Sequence, residues 1–379
     1  MIYLDYAAAT PLAENVLTAM QPYFSEKFFN PSATYNAAKQ TKAALEEARS
    51  SVAFWIGAKP AEVIFTAGGT EANNLAIHGI MEQYPDANLV VSAIEHEAIL
   101  EPAKQYNCRV ALVTGEGIID LEDLVAKIDD NTVLVSVMYA NNEVGTIQPI
   151  RAITEIIEKI RDDRRNSGNE RPIYVHTDAC QAANFLDMHT ARLGVDLMTI
   201  NGGKIYGPKQ SGALYVASRV PLVPVIRGGG QERNLRSGTE NVAACIGLAT
   251  AFVHVQTKRK DESKRLMQIQ EHAYALIKEK IPHATVNGST KRRLPNNIHM
   301  TIPGEDNERL LIQLDERGIL AAAGSACSAS DEEPSHVLRA MNLSDEAAQS
   351  SLRFTMGRQT TMEQIDVTID MLSQLVTTK

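Results

Sequence analysis

Three short runs of this sequence carry residue types that could together hold a phosphorylated ring. Thr66-Ala67-Gly68-Gly69-Thr70-Glu71-Ala72-Asn73-Asn74 follows a strand-like run and opens a helical pattern. Its glycines would bare backbone N–H groups at a helix N-terminus and Thr70 adds a hydroxyl, which makes a phosphate cradle. Val175-His176-Thr177-Asp178-Ala179-Cys180-Gln181 puts a carboxylate at a strand end with Gln181 three residues on. An acid there can keep a heterocyclic nitrogen protonated. Asn201-Gly202-Gly203-Lys204-Ile205-Tyr206-Gly207-Pro208-Lys209 also follows a strand; its glycines admit a ligand close to the backbone, and Lys204 can form an imine. Taken singly, each run reads more simply as a turn or a helix cap. As a set, cradle, acid and amine stand at the ends of three separate strands, and coincidence is harder to sustain for three than for one.

The fourth chemical feature is a thiol. Cys108, Cys180, Cys245 and Cys327 are scattered with no CxxC pair, which points to neither a metal site nor a disulfide framework. The first three read as small buried hydrophobes. Cys327 lies in Gly324-Ser325-Ala326-Cys327-Ser328-Ala329-Ser330-Asp331-Glu332-Glu333, small and polar residues that cannot pack a core and so predict a mobile loop. The acids after it would raise the thiol above its ordinary value of about 8.5.

The elements that must position these groups show in the apolar runs at 62–65, 88–91, 133–138, 173–175, 197–200 and 212–216, which alternate with helical patterns. That alternation predicts an α/β fold with a mostly parallel sheet covered on both faces, its ligand lying beyond the carboxyl ends of the strands. A long helix over about 241–281 leads into a different rhythm, with strands at 297–302, 319–323 and 351–355 and a helix over 361–376, the marks of a smaller α+β domain. The charged run 161–171 reads as a solvated surface loop. With 379 residues, 44% hydrophobic, the chain can bury two cores. A net charge of -9, from 37 Lys plus Arg against 46 Asp plus Glu, leaves no surplus for stable nucleic-acid binding. No apolar run is long enough for a membrane span, and Met1 leads straight into a strand, so a cytoplasmic protein is expected.

On its motifs the chain resembles the class V, fold-type I pyridoxal-phosphate enzymes, and more narrowly the cysteine desulfurases that serve iron–sulfur cluster assembly and tRNA thiolation. The resemblance spans nearly the whole chain. It rests on Tyr3-Leu4-Asp5-Tyr6-Ala7-Ala8-Ala9-Thr10-Pro11, Asn30-Pro31-Ser32, Gly68-Gly69-Thr70-Glu71, Glu95-His96, Asn141-Asn142-Glu143-Val144-Gly145, Asp178 with Gln181, Lys204, Arg236-Ser237-Gly238-Thr239, Gly324-Ser325-Ala326-Cys327 and Ser351-Leu352-Arg353-Phe354. It implies a large domain, residues 14–250, with a seven-stranded sheet, and a small domain of residues 1–13 and 251–379 carrying the cysteine loop. Lys204 would bind pyridoxal 5'-phosphate as a Schiff base, Asp178 would pair with the ring nitrogen and Gln181 with the phenolate oxygen. His96 would stack on the ring and move protons. Gly69 and Thr70 would hold the cofactor's phosphate, with Thr239 reaching it from a second subunit of a homodimer, and Asn201 would stand among the cofactor-binding residues. Asn142, beside the cofactor, and Arg353 would hold the substrate carboxylate, a task that suits a guanidinium fork. Cys327 would take sulfur from L-cysteine as a persulfide, leaving alanine, and pass it to an iron–sulfur scaffold or tRNA-thiolation protein. Deprotonation of the thiol would fall to His96 or to the substrate thiolate.

Some positions depart from the family pattern. Asn201 and Gly203 stand where relatives commonly have Ser or Thr and then His, which predicts weaker cofactor retention, and Tyr35 replaces a frequent His. The sequence stops soon after its last helix, without the longer tail that helps many relatives dock a scaffold, while the Cys327 loop resembles the long-loop group. Competing readings are a selenocysteine lyase or cystine C–S lyase, a class V aminotransferase, and a sulfur-relay scaffold that has lost the cofactor.

Overall fold

The computed structural model describes residues 1–324 and 334–377. Twelve strands are present among them: β1 Ile2–Tyr3, β2 Val63–Thr66, β3 Asn88–Ser92, β4 Asn107–Ala111, β5 Thr132–Ser136, β6 Tyr174–Asp178, β7 Leu197–Asn201, β8 Gly212–Val216, β9 Thr285–Val286, β10 Asn297–Thr301, β11 Ile319–Leu320 and β12 Ser351–Thr355. The central sheet has seven strands in the order β2-β8-β7-β6-β5-β3-β4. Every pairing is parallel except those of β8, which runs against both β2 and β7. β2 therefore points the same way as β3, β5, β6 and β7, and the carboxyl ends of all five open onto one edge. The predicted fold class is the one found.

Strands β2, β3, β5 and β8 are buried along their whole length, which is why they read as unbroken apolar runs. β4 is different. At the sheet edge, with Asn107 and Val110 exposed and an arginine at its centre, it gives little apolar signal, and the sequence reading passed over it. The large core packs under and over this sheet. A second core gathers Leu4, the far end of the helix Val242–Lys280, and strands β10 and β12 with the helix Met362–Thr377. β10 lies between β12 and β9, antiparallel to both, and β1 pairs with β11 in parallel. Leu4 thus ties the N-terminal arm to the second core.

The run 161–171 is not a surface loop. The helix Ile150–Ser167 takes in residues 161–167 of it and stops where Gly168 adopts φ 79°, the left-handed conformation that closes helices at little cost. Ile150, Ile153, Ile157 and Arg164 share its buried face. Arg164, 4% exposed, donates to the carbonyls of Asp129 and Thr132 at 2.6 and 2.9 Å. An inward-turned guanidinium satisfied by backbone oxygens is disguised in sequence by the charges around it. No helix among the described residues is long and apolar enough to cross a membrane.

Candidate active site

The segments that follow β2, β3, β5, β6 and β7 converge on one pocket. Gly69 and Thr70, His96, Asn142, Asp178 and Gln181, Asn201 and Lys204 line it together with Ala7, Ala8 and Arg353. Of the candidates named from sequence, all but two are brought together here. Thr239 lies in a separate pocket with Arg236, Glu240 and Cys245, and Cys327 lies outside the described residues.

The cradle forms where β2 ends. Gly68 has φ 133°, a conformation that a side chain would strain, and it turns the chain into the helix Gly69–Met81. The first N–H groups of that helix have no intrahelical partner and, with the helix dipole, favour an anion. A Cβ on Gly69 would come within 2.8 Å of Cys180 Sγ, so the close approach there demands glycine. Glu71 in the first turn would repel an anion, but Arg236 pairs with it at 2.8 Å. Asn201, at the end of β7, turns its side-chain oxygen onto the N–H of Gly203 at 3.0 Å and so shapes the short helical turn Gly202–Lys204.

Asp178 is nearly buried, and two donors hold its carboxylate: Asn73 Nδ2 at 2.6 Å and the N–H of Cys180 at 2.9 Å. Hydrogen bonds to an ionised carboxylate are the stronger kind and fix its direction. Beneath it, His176 spans three strands, its Nδ1 with Ser136 Oγ at 2.9 Å in β5 and its Nε2 with Thr199 Oγ1 at 3.1 Å in β7. Burial pushes His176 down to about 4, so it stays neutral in the sheet. Burial, and then the charge of Asp178, pushes the Cys180 thiol well up. Cys180 is therefore an unionised thiol that shapes the cradle wall.

Lys204 Nζ donates to the carbonyls of Ala7 at 2.8 Å and Ala8 at 2.6 Å, and Gln181 Nε2 donates to Ala7 at 3.0 Å. The turn after Lys204 puts Tyr206, a non-glycine, at φ 64°. Thr10 Oγ1 accepts from its N–H at 2.7 Å, its hydroxyl accepts from the N–H of Arg358 at 2.8 Å, and the Arg358 guanidinium covers its ring. Those contacts hold a conformation that costs the backbone energy. His96 caps the helix Glu97–Ala103 by accepting from Ala98 N–H at Nδ1, which leaves the proton of the neutral ring on Nε2. Its neighbour Glu95 is fully buried; burial pushes its carboxyl well above the usual range, and Oε1 accepts from Met138 N–H at 2.6 Å.

Arg353, on β12, is 1% exposed and reaches the same pocket from the second core. Asn73, Cys180, Ala7, Ala8 and Asp5 were not picked out from sequence. Asn73 was legible only as part of the Gly-Gly-Thr motif, and Asp5, Ala7 and Ala8 only as part of the N-terminal motif of the resemblance, with no site role attached to them. Asn73 Oδ1 and Arg353 Nε are buried without a partner. An amine, a held carboxylate, an imidazole, an anion cradle and, apart from it, a guanidinium with an unmet Nε–H suit a phosphorylated heterocycle joined to an amino acid.

A family model described as Aminotransferase class-V matches residues 2–367. A protein named cysteine desulfurase IscS from Dictyoglomus turgidum is 40% identical over 382 residues, which cover 99% of this chain and 94% of that protein. A NifS-like protein from Rickettsia africae is 30% identical with a TM-score of 0.88, covering 99% of both chains. A structure described as SspA in complex with cysteine is 33% identical with a TM-score of 0.81, covering 94% of this chain and 99% of that one.

Proposed function

The chain belongs to the class-V aminotransferase family, and from that premise we propose that it is a pyridoxal-phosphate-dependent cysteine desulfurase. The observation that carries this reading is the meeting of Lys204, Asp178, His96, Asn142 and Arg353 in one pocket beside the Gly69 cradle. The residues fit pyridoxal 5'-phosphate: Lys204 would hold its aldehyde carbon, Asp178 its ring nitrogen, Gln181 its phenolate oxygen, His96 its face, and Gly69, Thr70 and Asn201 its phosphate. When bound, the cofactor supplies an electron sink for the charge left at the substrate α-carbon.

The chain's own groups do the rest. Arg353 and Asn142 anchor the α-carboxylate of L-cysteine. The Lys204 amine moves a proton at the α-carbon, and His96 Nε2 serves the substrate sulfur. The Cys327 thiolate attacks that sulfur; a new S–S bond forms as the Cβ–S bond breaks, its electron pair stays with the carbon fragment, and protonation gives alanine. Thr239 would complete the phosphate site of a second copy in a homodimer, and the persulfide would pass to an iron–sulfur scaffold or tRNA-thiolation protein in the cytoplasm. A division near residue 250 into large and small domains is supported by the two cores.

The test is the chain reconstituted with pyridoxal phosphate and given L-cysteine. Alanine should accumulate with sulfide in the presence of a thiol, and Cys327→Ser should abolish both while keeping the visible absorbance of bound cofactor. Sulfide release that survives Cys327→Ser would instead favour a lyase.

A further inference from the structure

Arg353 does not stand with an open fork. Its Nη2 is paired with Asp5 Oδ1 at 2.7 Å and its Nη1 donates to the carbonyl of Asn142 at 3.0 Å, while Nε is buried without an acceptor. The two partners are fixed by separate backbones. Arg353 N donates to Ala322 O at 2.6 Å, and Arg353 faces His299 across β10 and β12. Asp5 bridges Thr355, its carbonyl accepts from the Tyr3 hydroxyl at 2.8 Å, and Tyr6 N donates to Thr355 O at 3.3 Å. Carboxylate and guanidinium therefore meet because the N-terminal arm is bridged to β12, with little side-chain entropy left to lose. The same arm, two and three residues on, supplies the carbonyls that accept from Lys204. It thus touches both groups that would receive the two ends of an amino acid.

A carboxylate takes a guanidinium best through two parallel N–H bonds. Asp5 uses one oxygen on Nη2 and leaves Nε–H unmet, so an arriving carboxylate must share Nη2 or displace Asp5. We propose that Asp5 is a resident counter-ion of Arg353, displaced in part by the substrate's α-carboxylate and returning as the product leaves. This rests on the reading that Arg353 receives that carboxylate. A guanidinium buried with no anion at all is strongly unfavourable. Without Asp5 the empty pocket would grip any small carboxylate; with Asp5, binding exchanges one ion pair for another and release is easy. Asp5 is on this account a positioning residue that trades affinity for exchange.

The experiment compares the reconstituted wild type with Asp5→Asn, which keeps the size and removes the charge. Isothermal titration calorimetry with L-alanine reads the carboxylate site directly, and steady-state kinetics with L-cysteine separates KM from kcat. Asp5→Asn should bind L-alanine about tenfold more tightly, with KM and kcat both lower, and Asp5→Glu should return the wild-type dissociation constant. Asp5→Ser carries the same expectation as Asp5→Asn if the amide variant does not fold. An unchanged or weaker L-alanine affinity in the charge-free variants would overturn the counter-ion role alone. A wild type that neither binds L-alanine nor forms it from cysteine would overturn the functional reading beneath it.

Discussion

Adding one methyl group at Gly69 should damage both the fold and the cofactor site, and removing one sulfur should undo the damage. The new Cβ would stand 2.8 Å from Cys180 Sγ and 3.3 Å from Asn201 Nδ2. Heavy atoms in contact prefer about 3.5–4.0 Å, so roughly 0.7 Å or more must be recovered. Neither neighbour yields freely, since the N–H of Cys180 is tied to Asp178 and the Asn201 side chain to Gly203. Overpacking of this kind costs about 1–3 kcal/mol, and each kcal/mol lowers the melting temperature of a large domain by about 2–4 °C. A displaced cradle should also weaken pyridoxal phosphate binding about tenfold, equivalent to about 1.4 kcal/mol. The assay is thermal unfolding of the cofactor-free chain beside a fluorescence titration with pyridoxal phosphate, run on Gly69→Ala, Cys180→Ala and the double variant. The double variant should recover most of both losses, a coupling within the range of about 0.5–3 kcal/mol seen for residues in contact. If Gly69→Ala behaves as wild type, or the double variant recovers nothing, the close approach of helix and strand is not what requires glycine.

Stability should also depend on pH through three buried groups. Burial holds His176 at about 4 and His299 at about 3, so from pH 6.5 down to about 4 the unfolded chain takes up protons at both that the folded chain refuses, and stability falls as pH falls. Glu95, pushed up by burial, keeps its proton in the folded chain above the usual carboxylate range, and this opposes one histidine. Denaturant titrations between pH 5 and 6.5 should find that His176→Asn flattens the dependence by at most about 1.4 kcal/mol per pH unit and that Glu95→Gln steepens it; equal slopes in all three proteins would remove the linkage. The Arg49 guanidinium meets the Glu232 carboxylate at 2.6 Å, both side chains being buried, and Glu232 also accepts from Phe65 N–H at the sheet edge. Glu232→Gln removes the buried partner and leaves Arg49 only the half-exposed Glu46 carboxylate at 3.1 Å, so it should cost about 1–3 kcal/mol in denaturant titrations, whereas no measurable loss would mean the charge is not needed there. Asn73→Ala takes from Asp178 a bond to an ionised group worth about 1.5–3 kcal/mol, so cofactor affinity should drop at least tenfold with far-UV circular dichroism unchanged.

How far these groups were legible in the sequence depended on how local their signals were. β3, β5 and β8 are buried along their length, and their apolar runs declared them; β4 sits at an edge with Arg109 in its middle and did not. Lys204, Asp178 and the Gly68-Gly69-Thr70 turn were legible because each stands at or just past a strand end. Their partners were not. Asn73 lies 105 residues from Asp178, Ala7 lies 197 from Lys204, and Asp5 lies 348 from Arg353, separations that no periodicity encodes. Cys180 was read as an inert buried cysteine; it is buried, yet its sulfur forms the cradle wall, a role set by packing against Gly69. In the run 161–171 the charges hid a helix whose Arg164 faces inward.

The central claim is that sulfur leaves cysteine by transfer to Cys327. A single turnover with substoichiometric L-cysteine, quenched and analysed by mass spectrometry of the Cys327 peptide alongside alanine, measures that transfer directly. Alanine and a gain of one sulfur on Cys327 should appear in equal amounts and with the same rate. Alanine formed with Cys327 unmodified, or formed equally fast by Cys327→Ser, would contradict the account.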